Sequence, residues 1–351
     1  MNVLLKSFDG SRENNFTTMR IILAWFVLYG HSYAIQKTTG YEAPFSEIFQ
    51  GSIWIGTLAV NGFFAISGFL VTASIIRRGA IDYTISRVLR IFPALIVCVL
   101  FSVFIIGTIF TKLTLSEYFS DVNTLSYLKN MTLFYEIQWK LPGVFTENVE
   151  TSVNGSLWTL PAEVRCYLFL AIISLFGVFK QKTLSNLFIF GLLIFGYFFF
   201  SDLPLVSDHK SWSKPSLFFL IGVFFYVNRD KIILDIKLAI LASILMFFSF
   251  GEEWFNYLFP VTLVYLIFYL VYATKYINTD KKLGDISYGI YIYAFPIQQC
   301  VATLFPDFVP IENTIVSSII VFFLAYFSWH FLEKPMLSLK KKLLGYKFKK
   351  K

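Results

Sequence analysis

Charge is what this sequence lacks. Only 15% of its 351 residues are Asp, Glu, Lys or Arg, where a soluble domain carries roughly 25%. A water-facing surface cannot be assembled from so few charges at this length. Cysteine is scarce too. Cys98, Cys166 and Cys300 lie far apart, in or beside apolar runs, which argues against a disulfide framework. No Cys/His grouping has metal-ligand spacing, so no metal is assigned. Apolar bulk is abundant instead: 56% hydrophobic, 20% aromatic, 42 Phe and a mean hydropathy of +0.65. Lipid is the implied solvent, and in lipid the backbone must satisfy itself as helices or a closed barrel. The apolar runs are about 15–25 residues long, whereas barrel strands alternate over about ten. The expectation is an all-α, polytopic transmembrane bundle of about ten helices.

The runs place spans near 18–36, 48–75, 88–110, 156–179, 184–200, 213–228, 233–250, 256–275, 284–304 and 313–332. The longest polar stretch is 111–155. With no internal repeat, the chain reads as one membrane domain over 1–351, ending in the basic tail Lys340–Lys351. If the N-terminus is inside, most of the 30 Lys and Arg fall in inside segments and the acids lean outward. The positive-inside rule then puts both termini in the cytoplasm, as an inner-membrane protein would have them. The net charge of +8 needs no nucleic-acid partner, because anionic lipid accounts for it.

Ionisable groups within spans are expensive and point to function. His31 and Arg20 are eleven positions apart in the first span. At about 100° and 1.5 Å per residue they share a helix face, about 16.5 Å apart along the axis. Arg20 then sits near the cytoplasmic surface and His31 near mid-membrane. Acyl-CoA has a matching shape, with phosphates at one end and a long arm to the thioester. An Arg grips phosphate and a neutral His serves as general base. The alternative is a snorkelling Arg and a structural His. Arg87 and Arg90, at i,i+3 on the same membrane side, extend the candidate phosphate site, or else anchor the helix.

Asn61 and Ser67, among the small residues of Asn61-Gly62-Phe63-Phe64-Ala65-Ile66-Ser67-Gly68, either line a substrate cavity or mark helix packing. In Ser156-Leu157-Trp158-Thr159-Leu160-Pro161-Ala162-Glu163, an outward Ser156, Trp158 and Glu163 suit a sugar. Ser156 and Glu163 share a face only if the segment is helical throughout, and Pro161 better suits a first turn. His330 to Pro335 reads as a helix stop, and Ser287-Tyr288-Gly289-Ile290-Tyr291 as helix packing.

Together these segments resemble acyltransferase family 3 of integral membrane proteins. The resemblance rests on Arg20 with His31, Phe63-Phe64 through Ser67-Gly68-Phe69, and Arg87 with Arg90-Ile91-Phe92-Pro93. It continues through Ser156 to Glu163, Ser287 to Tyr291, and Glu333-Lys334-Pro335. It implies ten core helices, an acetyl-CoA donor, essential Arg20 and His31, and O-acylation of a surface polysaccharide, a lipid-linked glycan or a small molecule. Val164 stands where many members have a second acid. Some members carry a secreted hydrolase-like domain; without one, the helices complete transfer unaided or hand off to a partner.

The resulting assignment makes His31 and Glu163 catalytic. Arg20, Arg87 and Arg90 hold acetyl-CoA, and Asn61, Ser67, Ser156 and Trp158 line the acceptor site. General base or acyl-histidine chemistry stays open. A transporter or flippase would also place polar groups in ten helices, but it would favour an inverted repeat or a mid-span acidic pair.

Overall fold

The computed structural model describes residues 3–11, 13–36, 42–43, 45–198 and 210–343. Arg12, the end of the 184–200 span and the tail beyond residue 343 lie outside the described residues. Among those described, every expected span falls on a helix. The long helices are α1 (Phe16–Ile35), α2 (Ile55–Arg78), α3 (Ala80–Phe110), α4 (Thr159–Leu175), α5 (Lys182–Phe198), α6 (Lys210–Val227), α7 (Ile236–Ser249), α8 (Phe255–Ala273), α9 (Ser287–Leu304) and α10 (Pro310–Phe327). The protein is thus an all-α helical bundle.

Among the described residues, five helical segments are long and apolar enough to cross a membrane by themselves: α2, α3, Gly155–Leu175, α8 and Pro310–Lys340. Three apolar stretches, Lys182–Phe195, Lys214–Val227 and Ile236–Ser249, are shorter. The remaining two, α1 and α9, span 20 and 18 residues but carry polar groups along their length.

The chain packs as two compact units. The first comprises Met1–Val27, Ala43–Tyr83 and Ala162–Lys282; the second comprises Leu28–Glu42, Thr84–Pro161 and Leu283–Lys351. In the first unit α2 and α6 approach closely through reciprocal glycines. A methyl on Gly68 would strike the carbonyl of Phe219, and one on Gly222 would strike the carbonyl of Ala65. Small residues permit this backbone contact, which drives helix association in lipid. Phe69 then packs on Phe268 at 4.5 Å and on Tyr226 at 5.2 Å between ring centroids. Asn15 ties the start of α1 to the end of α8 by donating to Thr274 Oγ1 and the Lys275 carbonyl. A two-residue ladder, β1 (Val3–Leu4) with β2 (Ile233–Leu234), closes this end.

In the second unit α9 lies against α10, where a Cβ on Gly289 would come within 2.8 Å of Ala325 Cα. Two π turns interrupt its long helices, at Ser102–Ile106 in α3 and at Ser328–Glu333 after α10. The first frees a carbonyl, that of Val103, which accepts from the Tyr118 hydroxyl at 2.9 Å. The second corrects the helix stop expected at Pro335. The π turn absorbs the proline's missing donor and clash, and the chain continues as helix over Lys334–Leu343. The polar stretch 111–155 is ordered by a capping box between Thr114 and Glu117, a Thr111–Val144 bridge and a Lys112–Glu147 ion pair.

Candidate active site

His31 lies half-buried on α1, with the edge of its ring against Phe295 at 5.0 Å. Its neighbour Ser32 fixes this turn. Gln298 Nε2 donates to Ser32 Oγ at 2.6 Å and to the Leu28 carbonyl at 2.8 Å. Thr314 Oγ1 donates to the same Ser32 oxygen at 2.7 Å. Asn313 Nδ2 extends the web to Gln36 Oε1 and the Gln298 carbonyl. Buried polar groups are costly unless paired. A web of this kind therefore locks the rotation and depth of α1, and with them the position of the imidazole.

The next residue of α9, Gln299, fastens the polar stretch. Its Nε2 donates to the carbonyls of Glu150 at 2.6 Å and Ser152 at 2.7 Å, and its Oε1 accepts from Asn148. The segment Gly155–Trp158 is a 3-10 turn, and the α-helix begins only at Thr159. Pro161 falls in its first turn, as expected. The condition on which Ser156 and Glu163 would share a face, a segment that is α-helical throughout, is therefore not met, since 3-10 geometry advances each residue by about 120°.

Ser156 is fully buried rather than outward-facing. Its backbone is pinned by Asn154 and Tyr291, and its hydroxyl has no partner among the described residues. Gln298 Oε1 is likewise unpartnered there. Such atoms carry a desolvation cost of about 1–3 kcal/mol each, which a substrate or water can relieve. Trp158 is half-buried at the end of the turn.

The arginines divide. Arg90 donates from Nη1 to Glu333 at 2.6 Å and from Nη2 to Asp285 at 2.7 Å, while its guanidinium covers Tyr288 and Trp329. Gly284, at φ +79°, leaves the room Trp329 requires. Both arms of the fork are thus spent inside the protein. Arg87, one turn earlier on α3, and Arg20, on α1, are half-buried.

In the first unit, Glu163 accepts from Ser67 Oγ at 3.2 Å and from the Tyr167 hydroxyl. The expected Ser67 and Glu163 therefore meet, with Tyr167 added. Asn61, 2% exposed, lines a cavity in this unit.

Sequence reasoning passed over Gln298, Asn313, Thr314, Asp285 and Tyr167. A signal existed for the first: two consecutive amides, Gln298 and Gln299, interrupt an apolar run, and polar groups at that depth are rarely idle. Asp285 and Tyr167 gave no comparable sign, because their partners come from distant parts of the chain.

A half-buried histidine beside a buried polar web, in a bundle of helices apolar enough to cross a membrane, is compatible with a membrane acyltransferase. The chain belongs to acyltransferase family 3: residues 13–330 match the family described as "Acyltransferase domain". It is similar to an O-acetyl transferase of Shigella phage Sf6, 30% identical over 343 residues, which cover 93% of this chain and 97% of that one. It is also similar to nodulation protein 10 of Rhizobium leguminosarum bv. viciae, 29% identical over 172 residues, 46% of this chain and 44% of that one. No solved structure matches it.

Proposed function

We propose that this acyltransferase moves an acetyl group from cytoplasmic acetyl-CoA to a hydroxyl of a cell-surface polysaccharide, such as an O-antigen, or of a lipid-linked glycan. It does so in the inner membrane, with both termini in the cytoplasm. The observation that carries this reading is His31 on α1, next to a Ser32 held by Gln298 and Thr314 and eleven residues along the helix from Arg20. The name of the phage relative supports acetyl as the group and oxygen as the acceptor atom.

In this reading Arg20 and Arg87 receive the phosphates of the donor. Arg90 holds α3 in place through Glu333 and Asp285. His31 takes the proton from the acceptor hydroxyl as its oxygen attacks the thioester carbonyl, and the C–S bond breaks to release the thiolate. General base assistance is worth typically 10²–10⁴-fold. Glu163, oriented by Ser67 and Tyr167, accepts hydrogen bonds from acceptor hydroxyls.

Deleting the gene and comparing surface glycans by NMR tests the reading. The expected result is a lost O-acetyl signal, restored by the wild type but not by Glu163→Gln. Unchanged glycans, with a small molecule losing its acyl group instead, would reject the polysaccharide and keep the acyltransferase.

A further inference from the structure

A cavity of about 930 Å³ opens in the first unit, walled by α2, α5, α6 and α8. Its chemistry is two-sided. Phe218 and Phe259 give it an apolar wall, while Trp54, Asn61, Asn256 and Lys214 bring polar groups to it. Trp54 caps α2, and its indole lies back over Gly56, where any Cβ would collide with the ring. That glycine fixes the orientation of the indole. Asn61 stands two turns further on, 2% exposed, and its Oδ1 has no hydrogen-bond partner among the described residues. A carbonyl oxygen so deeply buried needs a donor, and hydrocarbon tails supply none. A hydrocarbon tail in this cavity therefore leaves Asn61 Oδ1 unsatisfied, whereas a hydroxyl satisfies it. An indole offers a flat apolar face to the C–H face of a sugar. Lys214 adds a cation suited to a phosphate.

We infer that this cavity binds a lipid-linked sugar, with the lipid chain along Phe218 and Phe259, the sugar between Trp54 and Asn61, and the linking phosphate at Lys214. The inference rests on the acetyl-transfer reading and narrows its acceptor from the two glycan classes to the lipid-linked one.

The test is native mass spectrometry of the full chain in lipid nanodiscs, titrated below the micellar threshold with two probes. Dodecyl maltoside has a hydroxyl-rich head; the control, dodecyldimethylamine oxide, has the same tail, no phosphate and no hydrogen-bond donor when neutral. The expected result is retention of the maltoside at least tenfold better than the amine oxide. Asn61→Leu should abolish that preference while its thermal midpoint stays at or above the wild type, since the substitution removes an unpartnered polar group. Lys214→Gln should leave maltoside binding unchanged and weaken a polyprenyl-phosphate sugar about tenfold. Equal retention of both probes, unaffected by Asn61→Leu, would make the cavity a crevice for bilayer lipid and overturn the inference. Unchanged binding of the phosphate-linked sugar by Lys214→Gln would overturn the lipid-linked assignment. His31→Ala should still bind the maltoside, so a failure of the acetyl-transfer reading appears in activity and a failure of this site appears in mass.

Discussion

Replacing Arg90 by Met removes a guanidinium shared by two carboxylates. Its side chain is 12% exposed, Asp285 is 15% exposed and Glu333 is fully buried. Breaking a buried ion pair by deleting one partner costs about 3–5 kcal/mol, because a charge is left uncompensated. Here two carboxylates are left, so one takes up a proton and holds the loss within that range. Each kcal/mol moves the melting point by roughly 2–4 °C in chains of 150–250 residues and less in longer ones. Arg90→Met should therefore lower the midpoint of purified protein by about 5–10 °C, read by differential scanning in nanodiscs. Glu333→Gln keeps a neutral hydrogen bond and leaves Asp285 paired, so it should cost less, about 1.5–3 kcal/mol. Acetyl-CoA affinity, measured by calorimetry on the folded fraction at low temperature, should change little in either variant. A variant with an unchanged melting point and lost acetyl-CoA binding would refute the reasoning and return Arg90 to the donor site.

Three further outcomes follow from the same structure. Arg20→Lys keeps the charge but loses the bidentate fork; acetyl-CoA binding should weaken about tenfold by calorimetry, and unchanged affinity in both Arg20→Ala and Arg87→Ala would make them anchors only. A reporter fused at Lys351 should read as cytoplasmic and a tag inserted near Asn123 as external, and the reverse pattern would undo the two-sided mechanism. Hydrogen bonds from Thr114 hold the Glu117 carboxyl below its usual range. A lowered folded pKa stabilises above the unfolded value and is lost as pH falls through the folded one. Protection of the amides over Leu115–Ser120, taken as the exchange rate relative to the intrinsic rate at each pH, should accordingly be high at neutral pH and fall in acid, and pH-independent protection would dismiss the capping box.

The helices were legible because apolar runs between charged loops leave few other readings in lipid. Asp235, at the start of the 233–250 span, caps α7 by accepting from the Lys237 amide. Local rules failed where tertiary partners decided the outcome. Pro335 looked like a terminator, but a π turn just before it lets the helix proceed. Ser156 and Glu163 could share a face only in a segment that was helical throughout, and the 3-10 turn over Gly155–Trp158 shows that it is not. Arg90 resembled Arg87 in sequence, yet Asp285 and Glu333, each about 200 residues or more away, claim it. Two features of the site were visible at the outset, the Arg20–His31 spacing and the small-residue run holding Asn61 and Ser67. The web around Ser32 was not, because each of its members is unremarkable until α1, α9 and α10 are placed together.

The central claim is that His31 performs the transfer chemistry, and one measurement addresses it directly. Purified wild type and His31→Ala, each in nanodiscs, are supplied with radiolabelled acetyl-CoA and membranes carrying the unacetylated glycan. Label reaching the glycan is counted beside the thermal midpoint of each protein. The account predicts a loss of 10²-fold or more in a variant that still inserts and folds, because the web rests on Ser32, Gln298 and Thr314 rather than on the imidazole. Transfer at the wild-type rate by folded His31→Ala would contradict it.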